Sequence, residues 1–161
     1  MKQIFYIFFF LVYSCYSYAA EKQQKQINDL LNQLKIASNY EDSKIIESKI
    51  WELWTTHPSE NSLTALLADG SFYMSQSKLE TAYKTFTKAI ELDPNWPEAW
   101  NKRATVLYLM GKYELSQADI DKVLELEKRH FGALSGQGLV QTALNNYQKA
   151  IESYIEVHKV H

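Results

Sequence analysis

The residues in this chain whose types could carry chemistry are four histidines, one cysteine and one glycine-rich run. The histidines are His57, His130, His158 and His161. A zinc site needs imidazoles or thiolates at short fixed intervals, as in His-Glu-x-x-His, and none of the four belongs to such a pattern. His158 and His161 stand one turn apart at the end of the chain, where they read as solvated helix-end side chains rather than metal ligands. The run GALSGQG, Gly132 to Gly138, has neither the spacing of a phosphate-binding loop nor that of a dinucleotide fingerprint or a nucleophile elbow. Close helix packing and a shallow groove account for its glycines. With no nucleophile beside a base and no isolated acidic pair in apolar surroundings, the chain is expected to be no enzyme, and to need no cofactor and no metal.

Cys15 lies in the segment MKQIFYIFFFLVYSCYSYAA, which carries one lysine, an apolar run from Ile4 to Tyr13 and small residues ending in Ser17-Tyr18-Ala19. This order predicts a secretory signal over residues 1–19 with cleavage after Ala19, leaving a mature chain without a thiol. Two alternatives stay open. Val12-Tyr13-Ser14-Cys15 resembles a lipoprotein cleavage site, which would make Cys15 the lipidated first residue, and the apolar run could also persist as an uncleaved anchor. The formal net charge of −2 and the lack of a basic stripe argue against nucleic acid as a partner. Residues 20–25 read as a flexible lead-in.

The elements behind these residues recur at a step of 34. Leu66, Trp100 and Leu134 share a column, as do Gly70, Ala104 and Gly138; Leu79, Tyr113 and Tyr147; Ala82, Ser116 and Ala150; Phe86, Ile120 and Tyr154; and Ala89, Val123 and Val157. Large recurs with large and small with small, which is what two closely packed antiparallel helices require. Gly70, Ala104 and Gly138 are expected as holes, and Phe86, Ile120 and Tyr154 as knobs. Gln76-Ser77-Lys78, Met110-Gly111-Lys112 and Leu144-Asn145-Asn146 are the turns inside each pair, with Ser77 the least suited to a left-handed backbone. Between pairs, Asp93-Pro94 ends one helix and Pro97 starts the next, with Glu98 at its positive end and Trp96 packed over the joint.

The pattern resembles the tetratricopeptide repeat. The unit 63–96 carries Leu66, Gly70, Tyr73, Ala82, Phe86, Ala89 and Pro94. The unit 97–130 keeps Trp100, Ala104, Leu107, Ser116 and Ile120 but has Lys128 where a proline is usual; the unit 131–161 keeps Leu134, Gly138, Ala150 and Tyr154. The run from Trp100 to Gly136 is also similar to short exported tetratricopeptide proteins of Gram-negative bacteria, which implies a periplasmic location. The resemblance implies an all-α fold, a right-handed α-solenoid of stacked helix pairs. Upstream, Ile27, Leu30, Leu31 and Leu34, then Ile46, Ile50, Leu53 and Trp54, have helical spacing around a polar break at 39–43. They predict an N-terminal helical hairpin over 26–62, a degenerate unit that caps the stack.

In that family the first helices line a concave face, which would place Leu67, Ser71, Met74, Asn101, Lys102, Thr105, Tyr108, Ser135 and Leu139 on a groove for a peptide or partner helix, with Tyr108 as anchor. The family's clamp for a C-terminal carboxylate is absent, because its positions hold Leu67 and Ser71, then Lys102, then Gly132 and Gly136. Asp69, Arg103 and Gln137 fill a column that is usually apolar; they are expected to form a structural polar ladder in which Asp69 pairs with Arg103 across the unit boundary. Ile151, Ile155 and Val157 are expected to leave an apolar edge at the C-terminal end, which would permit a homo-oligomer in an envelope assembly.

Overall fold

The computed structural model describes the backbone of residues 2–160 and the side chains of residues 18–160. Cys15, most of the expected export segment and His161 therefore lie outside the described side chains. Among the described residues there are eight helices and no strand: α1 (Lys2–Ile36), α2 (Tyr40–Thr55), α3 (Asn61–Ser75), α4 (Leu79–Leu92), α5 (Pro97–Leu109), α6 (Tyr113–Leu126), α7 (Phe131–Ala143) and α8 (Tyr147–Val160). They divide into two compact units, Met1–Asn61 and Ser62–His161. Among the described residues no helix is long and apolar enough to cross a membrane.

The first unit is an antiparallel pair whose core is Ile27, Leu31 and Leu34 of α1 against Ile50 and Trp54 of α2, the residues that the helical spacing selects. Residues 20–25 are helical and not a flexible lead-in. Gln23 donates through Nε2 to the carbonyls of Leu53 at 3.0 Å and Thr56 at 2.7 Å, so a polar side chain ties this stretch to the C-terminal end of α2. The break between the helices is also shorter than the polar run suggests. Asn39 caps α2, its Oδ1 accepting from the Asp42 amide at 2.9 Å, so Tyr40 to Ser43 form the first helical turn. After α2, buried His57 accepts the Glu60 amide at Nδ1 (3.0 Å) and so closes the turn that leads out of the unit.

The second unit contains three helix pairs: α3–α4, α5–α6 and α7–α8. In each, the first helix closes in a left-handed residue, Ser77 (φ 57°), Gly111 (φ 73°) or Asn145 (φ 60°). The next amide then reaches back to the final turn, Lys78 to Tyr73, Lys112 to Leu107 and Asn146 to Gln141, at 2.9, 2.9 and 2.8 Å. One geometry thus recurs although only one of the three residues is the glycine that tolerates it without cost.

Inside each pair the hole receives its knob. A Cβ on Gly70 would stand 2.4 Å from the Phe86 ring, and one on Gly138 would stand 2.5 Å from the Tyr154 ring. In the middle pair the knob is the smaller Ile120, and there the hole is alanine. Phe86, Ala82, Ala89 and Ile90 join Leu63, Leu67, Trp96, Ala99 and Val106 in one core that runs from the first pair into α5. On α8, Ile151 and Ile155 are exposed, with Val157 half-buried.

The joints between pairs depend on a buried acid. Asp93 leaves helical geometry at φ −141°, ψ 95°, and Glu127 does so at φ −141°, ψ 96°. Each side chain accepts the amide two residues on, Asn95 and Arg129 respectively, both at 2.9 Å. Lys128 replaces Pro94 without changing the turn, so the acid and not the proline sets it. Trp96 is buried over the first joint, and Trp100 donates through Nε1 to the Pro94 carbonyl at 2.9 Å.

Gly70→Ala is expected to lower stability by about 1–3 kcal/mol, although alanine is the better helix former, because Phe86 is wholly enclosed and cannot yield. Adding Phe86→Ile, which copies the Ala104–Ile120 pair, should recover most of that loss in urea denaturation. Equal stability of Gly70→Ala and the wild type would remove the hole-and-knob account.

Candidate functional site

The groove side of the second unit is organised from the start of α5. Pro97 occupies the first turn of that helix, where its missing N–H is harmless, and Glu98 follows with no exposed surface. A fully buried carboxylate must be compensated, and three groups converge on it. His130 Nε2 lies 3.1 Å from Oε2, Asn101 Nδ2 donates to Oε2 at 2.9 Å, and Lys102 Nζ stands 3.2 Å from Oε1. Oε1 makes no well-directed hydrogen bond, so Lys102 serves it as a charge partner.

His130 works in both directions. Its Nδ1 accepts the Ala133 amide at 3.2 Å and so caps α7, which requires the ring proton to sit on Nε2, where it donates to Glu98. One imidazole thereby joins α5 to the first turn of α7 across the boundary between two helix pairs. Burial by itself would raise the Glu98 carboxyl; the His130 hydrogen bond, then the charge of Lys102, outweigh it and hold the group below its ordinary value of 4.5.

Arg103 is placed differently from the expected ladder. Its guanidinium binds Asp119 of α6 in a fork, Nε to Oδ2 and Nη2 to Oδ1, both at 2.8 Å. It also donates to Thr87 Oγ1 at 3.2 Å and lies 4.9 Å from the Trp100 ring centroid. Asp69 is exposed, and Gln137 Oε1 accepts from Ser153 Oγ at 3.0 Å. Arg103–Asp119 and Gln137–Ser153 both join residues sixteen apart on the two helices of one pair. The column is therefore read within each pair, because antiparallel neighbours bring those positions closer than the next unit does. Among the bonds described for this column, the one from Arg103 to Thr87 of α4 crosses a boundary between pairs.

Between α5 and α7 opens a cleft of about 60 Å³ lined by Asn101, Thr105, Tyr108, Gly132, Gly136 and Leu139, with Ala104, Ser116 and Ile120 at its floor. Four of the nine expected groove residues meet there: Asn101, Thr105, Tyr108 and Leu139. Leu67 is buried in the core of the first pair, and Met74 packs against that core, so neither presents a groove surface. Ser71 turns its hydroxyl back to the Leu67 carbonyl at 2.9 Å, Ser135 is half-buried on α7, and Lys102 is held by Glu98. Leu67 goes inward because the first pair, unlike the second, has a large apolar residue in the column that Asn101 fills.

Sequence reasoning missed Glu98, His130 and Asp119. The Glu98–His130 bond spans 32 residues, off the step of 34, and no local pattern reports it. Asp119 was legible only once the separation of sixteen between paired helices was known. Asp93 and Glu127, by contrast, stand 34 apart and could have been read as a column.

A TPR repeat model matches residues 70–111, and a tetratricopeptide repeat model matches residues 97–130. A TPR repeat-containing protein of Rhizobium etli is 30% identical over 143 residues, covering 87% of this chain and 70% of that protein. RNA polymerase II-associated protein 3 of Rattus norvegicus is 24% identical over 131 residues, which cover 81% of this chain but 20% of the rat protein. Among solved structures, the first TPR of Spaghetti (RPAP3), bound to the HSP90 peptide SRMEEVD, aligns with a TM-score of 0.60 at 24% identity over 62% of this chain and 79% of that one.

The depressed titration of Glu98 fixes the sign of a pH effect. A carboxyl lower in the folded than in the unfolded state stabilises the fold above its unfolded value near 4.5, and that contribution is lost as pH falls through the folded value. Glu98→Ala should cost about 3–5 kcal/mol at pH 7, the usual loss when one partner of a buried charged set is removed. The gap between variant and wild type should narrow on acidification below the unfolded value. Urea denaturation over that range checks both, and a gap that does not depend on pH would exclude the charged role of Glu98.

Proposed function

Because the chain belongs to the tetratricopeptide repeat family, we propose that it is an exported protein-interaction module that holds a peptide or partner helix against the cleft between α5 and α7. Similar tetratricopeptide domains act in protein–protein interaction, and the Spaghetti domain carries an HSP90 peptide. The cleft supports the reading for this chain: α5 and α7 bring an aromatic anchor, a fixed amide, a hydroxyl and an exposed leucine around one depression. Tyr108 is half-buried, its ring 5.5 Å from that of Tyr113, so the anchor is oriented before any partner arrives. The reading involves no catalytic step, no cofactor and no nucleic acid, in keeping with a formal net charge of −2.

Export rests on the order of Lys2, the apolar run Ile4 to Tyr13 and the small-residue site at Ala19. The expected compartment is the periplasm. Intact-mass measurement of the mature chain should give a first residue of Ala20. A mass starting at a lipidated Cys15, or at Met1, would replace cleavage by lipid attachment or by an uncleaved anchor.

Selection of phage-displayed random dodecamers on the full chain should yield peptides whose binding falls about tenfold or more in Tyr108→Ala, read by fluorescence anisotropy. Peptides that bind Tyr108→Ala as well as the wild type but are lost in Ile155→Asp would move the interaction to the exposed face of α8. Selection that enriches no peptide would remove the groove reading.

A further inference from the structure

The joints inside the second unit show what covers each face of a helix pair, and two such faces are uncovered. Where the first pair meets the second, Ile90 of α4 packs with Ala99 and Val106 of α5, and Thr87 Oγ1 accepts from Arg103 at 3.2 Å. Where the second meets the third, Leu124 of α6 packs on the core of Ala133 and Val140 of α7, and Gln117 accepts from Gln141 at 2.7 Å. Each joint thus lays the second helix of one pair on the first helix of the next, through the same columns. One step of 34 further on, the columns that α4 and α6 use reach Ile151, Ile155 and His158 of α8, and all three are exposed. One step back, the columns of Ala99 and Val106 reach Ala65 and Phe72 of α3, and these are exposed too.

Both faces carry larger or more apolar groups than their counterparts inside the joints, the reverse of what contact with water selects. Ile151 stands where α6 has Gln117, and Ile155 where α6 has Asp121. Phe72 is 60% exposed, yet its column holds the smaller and covered Val106 and Val140. We infer that this chain associates with copies of itself head to tail, α8 of one copy lying on α3 of the next as α4 lies on α5. The repeat names the partner, because α8 presents the face that takes a first helix and α3 the face that takes a second helix. Ile155 then replaces Thr87 and meets Asp69, while His158 replaces Ile90 over Ala65 and Phe72, within one turn of that acid. Gly132 and Ser62 occupy the columns of Glu98 and His130, so no counterpart of that buried bond fastens the copies, and the association reverses on dilution. A head-to-tail contact leaves a free face at each end, so the assembly grows with concentration instead of stopping at a dimer. The interface shares no residue with the lining of the α5–α7 cleft and does not rest on the groove reading.

The test is sedimentation velocity of the mature chain over a wide concentration range. The average mass of the wild type should rise with concentration past that of a dimer. Ile155→Asp and Phe72→Asp, both at exposed positions, should keep the wild-type Tm and each remain monomeric alone. Mixed in equal amounts they should form a heterodimer and nothing larger, because the mixture retains one intact α3 face and one intact α8 face per pair. Tyr108→Ala should assemble as the wild type does. A wild type that stays monomeric throughout, or mixed variants that stay apart, would overturn the stacking. Self-association of Phe72→Asp but not of Ile155→Asp would replace it by α8 pairing with α8. Loss of assembly in Tyr108→Ala alone would move the contact between copies into the cleft and remove the stacked interface.

Discussion

Two helices can lie as close as α3 and α4 do only if one of them gives up a side chain where the other inserts a ring, and the rest of the second unit follows from that exchange. At Gly70 the backbone itself forms the floor under Phe86, and at Gly138 it does so under Tyr154. The middle pair meets the same demand with Ala104 under the slimmer Ile120. Hole and knob change size together because an interior at crystal-like density tolerates neither a void nor an overlap of one methyl group. Once the separation within each pair is set, the turn between its helices must reverse the chain within a few residues. All three turns therefore adopt the same left-handed cap whether the residue is serine, glycine or asparagine.

Joining one pair to the next is a different problem, solved with polar groups. The acids Asp93 and Glu127 hold amides that the ending helix leaves unpaired. Glu98 and His130 then bind α5 to the first turn of α7. Burying a carboxylate is unfavourable unless each oxygen is compensated, and a well-packed apolar pair could be as stable. What the polar set adds is direction: the imidazole satisfies its cap and the carboxylate together in only one arrangement, so the two pairs meet in one register. Arg103 adds a similar constraint from the other side, with a bidentate bond to Asp119 and a reach to Thr87.

These two systems leave a third face of α5 and α7 open, where the cleft lies. Along α5, Ala104 and Val106 serve the packing, Glu98 and Arg103 serve the joints, and Thr105 and Tyr108 face the cleft. Because a helix distributes these duties around its circumference, the exposed Thr105 can change without disturbing the stack, whereas Asn101 is shared between the cleft and Glu98. The second and third pairs use that freedom to build a depression, whereas the first, with Leu67 turned inward, does not. The site is thus local, shaped by α5 and α7.

The sequence alone determined whatever repeats at a fixed step: the helix pairs, their holes and knobs, the turns at Ser77, Gly111 and Asn145, and the proline-marked joint with Trp96. Period and side-chain volume are properties of the chain itself, and they need only nearest neighbours to take effect. Tertiary structure decided what depends on which distant groups meet. The step of 34 could not show that Arg103 would choose Asp119 over Asp69, because antiparallel packing sets the separation of sixteen that brings them together. Nor could it show Glu98 beneath His130, since a buried charge selects partners by distance and direction, and these exist only after the helices have docked. Of the expected groove, Asn101, Thr105, Tyr108 and Leu139 converge and Leu67 does not, because a helical column fixes which way a residue points while the neighbouring helix decides whether that direction is solvent or core.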